Sequence, residues 1–148
     1  MGFPSMSELE PPGSPENRRE ASQWLAIVAD DLAAAEAVAR LSSPLLGVAA
    51  YHLQQAAEKL MKALLVLNSE PFRHTHDLND LVTRLLPLYP RLAPTLNALR
   101  GLTAWSVAFR YPGLEETYGA PPSISEIERI GALLAAFAAD AGRLVGDA

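Results

Sequence analysis

Residues 43–68 read SPLLGVAAYHLQQAAEKLMKALLVLN, and this stretch is the clearest guide to the fold. Ser43 and Pro44 form a typical helix start, since proline is favoured at the first helical position. Behind them, apolar residues recur three and four positions apart, which is the spacing of one helix face. The members of this apolar stripe are Leu46, Ala49, Leu53, Ala56, Leu60, Leu64 and Leu67. The stretch therefore predicts an amphipathic helix that ends near Asn68, before Pro71.

The twelve prolines divide the rest of the chain into windows that show the same periodicity. Because proline breaks helix interiors, each proline-free window is a candidate helix. The predicted helices run from about Ser14 to Leu41, from Thr75 or Asp77 to Leu86, from Pro90 or Pro94 to Phe109, and from Ser123 to Val145. The last of them begins with Ser123 and Glu126 in the pattern of a capping box.

Together these windows predict an all-α protein of five helices. The expected architecture is a four-helix up-and-down bundle with one short extra helix, because the long helices are joined by short loops. No window alternates with period two for long enough to predict a strand. Residues 1–13, which contain prolines and acidic residues, are expected to form a flexible N-terminal tail. Residues 14–148 are expected to form a single helical domain, since the chain has a common domain length.

Composition excludes several classes of protein. The chain has no cysteine, which excludes a disulfide scaffold, a cysteine zinc finger, an iron–sulfur cluster and a cysteine nucleophile. The net charge of −5 argues against tight nonspecific binding to nucleic acid, which needs a basic face. No uninterrupted apolar run reaches the length of about 18 residues that predicts a membrane span, and the first residues do not resemble a signal peptide. We therefore expect a soluble, cytoplasmic protein.

A polar line runs along the helix of residues 43–68, nearly opposite its leucine stripe. Tyr51, Gln55, Glu58 and Lys62 fall on this line at about 100° per residue. Two interpretations stay open. The line is either a solvated face on which Glu58 and Lys62 form an i,i+4 pair, or a subunit interface or polar cleft. The tyrosine and two adjacent glutamines favour the second, because a solvated face more often carries lysine and glutamate.

Two histidines stand two positions apart beside an aspartate in the segment from Arg73 to Asp77. Histidine and aspartate are metal ligands, but this spacing suits a loop or a strand, and no third ligand is predicted nearby. Thr75 or Asp77 as the cap of the third helix explains half of the segment without a metal. We expect His76 and Asp77 to stabilise the start of that helix, and we expect no metal and no cofactor.

The end of the fourth predicted helix carries a polar line of its own, on which Ser106 and Arg110 lie four positions apart. An arginine at a helix C-terminus is stabilised by the helix dipole, and Arg110 can also pair with Glu115 or Glu116. Alternatively, Arg110 binds an anion, since guanidinium is a planar fork that suits phosphate. Both interpretations stay open.

Three motifs follow one another along the chain: QQAAEKLMKA at residues 54–63, THDL at residues 75–78 and RYP at residues 110–112. Their order and spacing resemble the HEPN family (higher eukaryotes and prokaryotes nucleotide-binding domain), from about Glu16 to Leu144. The resemblance implies a five-helix domain that forms a homodimer, in which the second and fourth helices of two chains meet around a polar cleft. The chain is also similar to the helical substrate-binding partner of minimal nucleotidyltransferases.

The resemblance implies a nucleotide- or partner-binding surface on the second and fourth helices. Its candidate residues are Tyr51, Gln55, Glu58, Lys62, Ser106, Arg110 and Tyr111. The family also includes ribonucleases, whose motif is an arginine followed after about four to six residues by a histidine. Arg110 matches the arginine, but the later positions hold Glu115, Glu116 and Thr117, followed by Tyr118. The histidine is absent, which favours a noncatalytic role.

Three hypotheses about function follow. The leading one is a noncatalytic subunit that binds a nucleotide or phosphate and pairs with a small nucleotidyltransferase in a two-component, toxin–antitoxin-like system. The first alternative is a metal-independent HEPN ribonuclease without the usual motif histidine. Its candidate catalytic residues are Arg110, Glu115, Glu116 and Tyr118, or Arg110 with His52 or His76 supplied across a dimer. The second alternative is a helical interaction module without a ligand.

Overall fold

The helical patterns of the sequence correspond to helices in a computed structural model, which describes residues 13–72, 74–109 and 111–146. Within these residues the α-helices are α1 (Pro15–Ala39), α2 (Leu46–Leu67), α3 (Leu78–Leu85), α4 (Ala93–Leu99), α5 (Glu115–Tyr118) and α6 (Ile124–Val145). Two 3-10 helices, Pro90–Leu92 and Arg100–Ser106, flank α4. No strand occurs in the described ranges, so the predicted all-α class is confirmed. The predicted tail, residues 1–13, lies outside the described residues except for Gly13.

Serine side chains cap the first and the last helix where the sequence predicts them. Ser14 Oγ accepts a hydrogen bond from the backbone N–H of Asn17 (3.0 Å), and Ser123 Oγ accepts one from that of Glu126 (3.2 Å). Each bond satisfies one of the N–H groups that a helix start leaves unpaired. The central helix differs, since α2 begins at Leu46 without a side-chain cap. Packing, not capping, therefore stabilises the start of α2.

α2 is the central helix of the bundle. α1 packs along α2, α6 packs against both of them, and α3 and the 3-10 helix Arg100–Ser106 pack against α2 and each other. The predicted leucine stripe of α2 lies in the core, where Leu53, Leu60 and Leu64 are buried together with Phe137 of α6. Burial of one such side chain contributes about 1.5–3 kcal/mol. The stripe therefore stabilises the whole arrangement around α2.

The fourth predicted helix, residues 90–109, is not one continuous α-helix. α4 ends at Leu99, and the chain continues as the 3-10 helix Arg100–Ser106. Gly101 and Thr103 both have a low propensity for the α-helix, which weakens a continuous α-helix here. Within the described ranges the bundle therefore has three long helices and one composite element, instead of four long helices. The short helix α5 is a further element that the sequence does not predict.

Candidate functional site

Three polar side chains of α2 are buried in the bundle instead of facing solvent. Gln54 is fully buried, and Glu58 and Lys62 are only 3% and 6% exposed. The interpretation of the polar line as a solvated face is therefore wrong for Glu58 and Lys62. The loop before α3 covers them, since His76 contacts Glu58 and Phe72 packs against Lys62.

Glu58 is the centre of the first ionic cluster, and both of its carboxylate oxygens have partners. Nδ1 of His76 donates to Oε1 over 2.9 Å, and Nζ of Lys62 donates to Oε2 over 3.2 Å. The same Nζ lies 5.6 Å from the ring centre of Phe72, within the range of a cation–π contact. A buried carboxylate is tolerated when such partners compensate for its lost hydration. The cluster therefore joins α2 to the loop that leads into α3.

Among the described residues, Glu58 is the hydrogen-bond partner of His76, and it holds one ring nitrogen. Because Nδ1 donates to Glu58, the second nitrogen, Nε2, points away from the carboxylate, and the side chain remains 74% exposed. The next residue, Asp77, is the N-cap of α3, where its Oδ1 accepts a hydrogen bond from the backbone N–H of Asn79 (3.0 Å). Together these contacts orient an exposed imidazole at the start of α3.

The second ionic cluster joins α1 to α2 and centres on Asp31, a residue that the sequence analysis does not single out. Nδ1 of His52 donates to Oδ1 of Asp31 (2.9 Å), and Nζ of Lys59 donates to Oδ2 (2.7 Å). Asp31 is buried. The sequence contains a sign of this cluster, because Asp31 is three residues after Val28 and four before Ala35, and so lies on the apolar stripe of α1. A charged residue at such a position needs a partner.

Between the two clusters runs a polar strip of α2, bordered by α1 on one side and by α3 and the 3-10 helix on the other. Tyr51 and Gln55 lie on this strip and are half-buried. The Tyr51 ring packs edge-on against the imidazole of His52, with 5.4 Å between ring centres. Nε2 of Gln55 donates to Oε1 of Gln54 (2.7 Å), whose own Nε2 has no partner in the described part of the chain. We call Tyr51, His52, Gln55 and Lys59 the α2 cleft.

The composite fourth element packs against α2, and two specific contacts tie it to α3 and to α2. Thr103 Oγ1 accepts a hydrogen bond from the backbone N–H of Leu78 (3.0 Å), which joins the 3-10 helix to the start of α3. At the other end, Phe109 packs closely on Gly47 in the first turn of α2. This contact places Phe109 at the N-terminal end of α2, one turn from Tyr51.

The candidate residues of the fourth element have different surroundings. Ser106 is engaged locally, since its Oγ donates to the carbonyl oxygen of Thr103 (2.8 Å). Tyr111 is exposed. Arg110, the residue on which the phosphate-binding interpretation depends, lies outside the described residues.

The candidate catalytic residues that follow Arg110 in the sequence lie on the short helix α5. Glu115, Glu116 and Tyr118 are all exposed. In the described part of the chain, no hydrogen bond or ion pair joins them to His52 or His76. Tyr118 instead lines a pocket next to the 3-10 helix.

The described ranges contain neither a metal-binding cluster nor a membrane-spanning helix. No group of three or more histidine, cysteine or acidic side chains is placed there so that it could hold a metal ion. None of the helices there combines the length and the apolar character that a membrane crossing requires.

Comparison with known proteins gives one match. The model of a protein family described as HEPN domain matches residues 21–136, which is well over half of the chain. No curated protein and no solved structure matches. The matched range contains both ionic clusters and the α2 cleft.

Proposed function

Because the chain belongs to the HEPN domain family, we propose that it is a noncatalytic binding subunit that holds a nucleotide or a phosphate group at the α2 cleft. The family includes both nucleotide-binding and ribonuclease-like proteins. The observation that carries the proposal is the pair of ionic clusters, which hold two lysines and two histidines along one side of α2.

The side chains of the α2 cleft suit a ligand with a polar base and a phosphate. Lys59 and His52 each use one bond to Asp31 and keep further hydrogen-bonding capacity. Gln55 carries an amide, a group that pairs well with the donor and acceptor edge of a base. Since Asp31 balances the charge of Lys59, the cleft binds through directed hydrogen bonds and not through excess positive charge. This agrees with the net charge of −5.

Arg110 is the proposed phosphate ligand. It follows Phe109 in the sequence, and Phe109 packs on Gly47, one turn before Tyr51 on α2. A guanidinium group forms two parallel hydrogen bonds to a phosphate, which fixes the ligand in orientation as well as in place.

We further propose that the chain is a cytoplasmic homodimer that pairs with a small nucleotidyltransferase. Exposed apolar side chains near the N-terminal end of α2 support an interface there. Four of these side chains, each at least 40% exposed, are Leu45, Val48, Val107 and Tyr111. The contact between Phe109 and Gly47 brings the two halves of this set to one end of the bundle. Contiguous exposed apolar surface is typical of protein–protein interfaces.

Calorimetric titration with AMP, ATP, GTP and inorganic pyrophosphate tests the binding function. We expect saturable heat for at least one of them. Arg110→Ala should weaken that binding by roughly 10- to 150-fold, because a charge-assisted hydrogen bond contributes about 1.5–3 kcal/mol. The matched control, Arg129→Ala, removes an exposed arginine of α6 and should leave the affinity unchanged. If none of the four ligands gives a heat of binding, the proposal of nucleotide binding is wrong.

One observation favours a second candidate, a metal-independent ribonuclease. Glu58 holds Nδ1 of His76, and no other described residue bonds to Nε2 of this exposed side chain, which a ribonuclease would use to move a proton. His76 would then serve in place of the absent motif histidine, and Arg110 would stabilise the charge of the reacting phosphate.

An RNA cleavage assay separates the two candidates. We expect no cleavage by the wild-type protein. Cleavage that is lost in His76→Ala and in Arg110→Ala, but kept in His74→Ala, would instead establish the ribonuclease. His74 is the matched control, because it is an exposed histidine only two residues from His76. Cleavage that persists unchanged in Arg110→Ala would indicate a contaminating nuclease.

A further inference from the structure

A pocket of about 310 Å³ lies between the 3-10 helix Arg100–Ser106 and the start of α6. Three aromatic side chains line it, those of Trp105, Phe109 and Tyr118, together with Glu126. The remaining wall consists of small residues and a proline, which leave room between the rings. Small-molecule pockets have volumes from about 300 Å³ upward, so this one accommodates a group of the size of a polar side chain.

Trp105 and Phe109 pack in part against the core, but the polar groups and the rings of the three aromatic side chains have no specific partner in the described part of the chain. Neither the indole N–H of Trp105 nor the hydroxyl of Tyr118 makes a hydrogen bond there, and none of the three rings stacks on another ring. Buried tryptophan and tyrosine usually have a hydrogen-bond partner. Here Trp105 is half-buried and Tyr118 is 43% exposed, so both can contact a ligand.

Glu126 adds a negative charge to the pocket. It occupies the acidic position of a capping box, and in the described residues one of the two hydrogen bonds of that motif is present. Its backbone N–H donates to Ser123 Oγ (3.2 Å), whereas its carboxylate has no hydrogen bond or ion pair to any other described residue. Glu115 and Glu116 stand on the same short helix as Tyr118. Of these carboxylates, that of Glu126 lines the pocket, and its full charge outweighs the positive end of the α6 dipole, which is worth about half a charge.

We propose that this pocket binds a guanidinium group. A cation above the face of tryptophan or tyrosine is attracted by the ring, and arginine is the cation found there most often. The planar fork of guanidinium N–H donors also matches the two oxygens of a carboxylate such as that of Glu126. A tetramethylammonium ion lacks the donors, and urea lacks the charge, so neither satisfies both parts of the site.

The guanidinium group belongs either to an arginine of another polypeptide or to a free guanidino compound. Both present the same chemistry to the pocket. The proposal does not rest on nucleotide binding, because no residue of the α2 cleft lines this pocket.

Nuclear magnetic resonance of the tryptophan indole N–H groups tests the proposal on the full chain. The protein has two tryptophans, and Trp24 is an internal control because it packs on Phe72, with 6.1 Å between ring centres. We expect methylguanidinium to shift the Trp105 resonance and not that of Trp24, with roughly tenfold weaker binding of tetramethylammonium and urea. Tighter binding of N-acetyl-arginine amide than of free arginine indicates a polypeptide source, and the reverse indicates a free compound.

Two variants complete the test. Glu126→Gln removes the charge with little change in shape and should weaken methylguanidinium binding by roughly five- to tenfold. Tyr118→Leu should also weaken it, since it removes an exposed ring. The matched control is Glu128→Gln, at an exposed position of α6 that does not line the pocket. The proposal is overturned by a Trp105 resonance that does not move, by an equal response to tetramethylammonium, or by unchanged affinity in Glu126→Gln.

Discussion

Glu58→Ala should lower the free energy of unfolding by about 3–5 kcal/mol, because it leaves the ammonium group of Lys62 buried without its carboxylate. Lys62 is only 6% exposed, and its other described contact is the ring of Phe72. That cation–π contact is worth about 0.5–2 kcal/mol and does not replace a lost ion pair. His76 loses its acceptor in the same variant. Urea unfolding followed by circular dichroism measures the effect.

The matched control for this variant is Glu36→Ala. Glu36 forms an i,i+4 pair with Arg40 on α1, and the two side chains are 59% and 78% exposed. The chemical change and the helical spacing are the same as in the Glu58–Lys62 pair, but solvent screens the exposed pair. We expect a change within about 0.5 kcal/mol. If the two variants differ by less than about 1 kcal/mol, the buried Glu58–Lys62 pair stabilises the fold no more than the exposed Glu36–Arg40 pair does.

A double variant distinguishes the loss of the Glu58–Lys62 ion pair from the cost of leaving the Lys62 charge buried without a partner. Glu58→Leu combined with Lys62→Met removes both ions and fills a similar volume. We expect it to be more stable than Glu58→Ala, because no buried charge remains without a partner. The same urea unfolding compares the stabilities of the two variants.

Gly47→Ala should destabilise the protein by about 1–3 kcal/mol, although alanine is the better helix former. A Cβ atom at Gly47 would lie 2.8 Å from Cβ of Phe109, so either Phe109 or the first turn of α2 must move. The thermal unfolding midpoint should fall accordingly, by roughly 2–4 °C for each kcal/mol in a chain of this size.

Gly142→Ala is the control with the opposite sign. Gly142 lies inside α6, and beyond its own helical neighbours a Cβ atom there would meet no atom of the described residues within 4 Å. Alanine should therefore raise stability by up to about 1 kcal/mol through helix propensity. If Gly47→Ala raises the midpoint as Gly142→Ala does, then Phe109 does not pack tightly on α2, and the placement of the fourth element beside the cleft is wrong.

The parts of the fold that can be predicted from the sequence are those set by local patterns, namely helix caps and apolar stripes. A serine cap such as Ser14 or Ser123 acts on an N–H group three residues away, and an apolar stripe repeats within one turn. Such patterns are complete within a short window. For this reason the starts of α1 and α6 and the leucine face of α2 agree with the structure.

The fourth element shows where these patterns are insufficient. Apolar residues three and four positions apart suit both an α-helix and a 3-10 helix, so the spacing does not distinguish them. In the structure, Thr103 is tied to Leu78, 25 positions earlier, and Phe109 packs on Gly47. Contacts at that separation along the chain are not visible in a local window.

The candidate site divides in the same way. The sequence alone was sufficient to predict the all-α class. It was also sufficient to place four polar residues on one line of a helix, because helix geometry alone determines that line. These residues are Tyr51, Gln55, Glu58 and Lys62. That Glu58 and Lys62 are buried depends on the loop before α3, and Asp31 meets His52 and Lys59 from 21 and 28 positions away. Whether a charge is solvated or paired is a property of the groups that packing brings to it, and those groups come from distant parts of the chain.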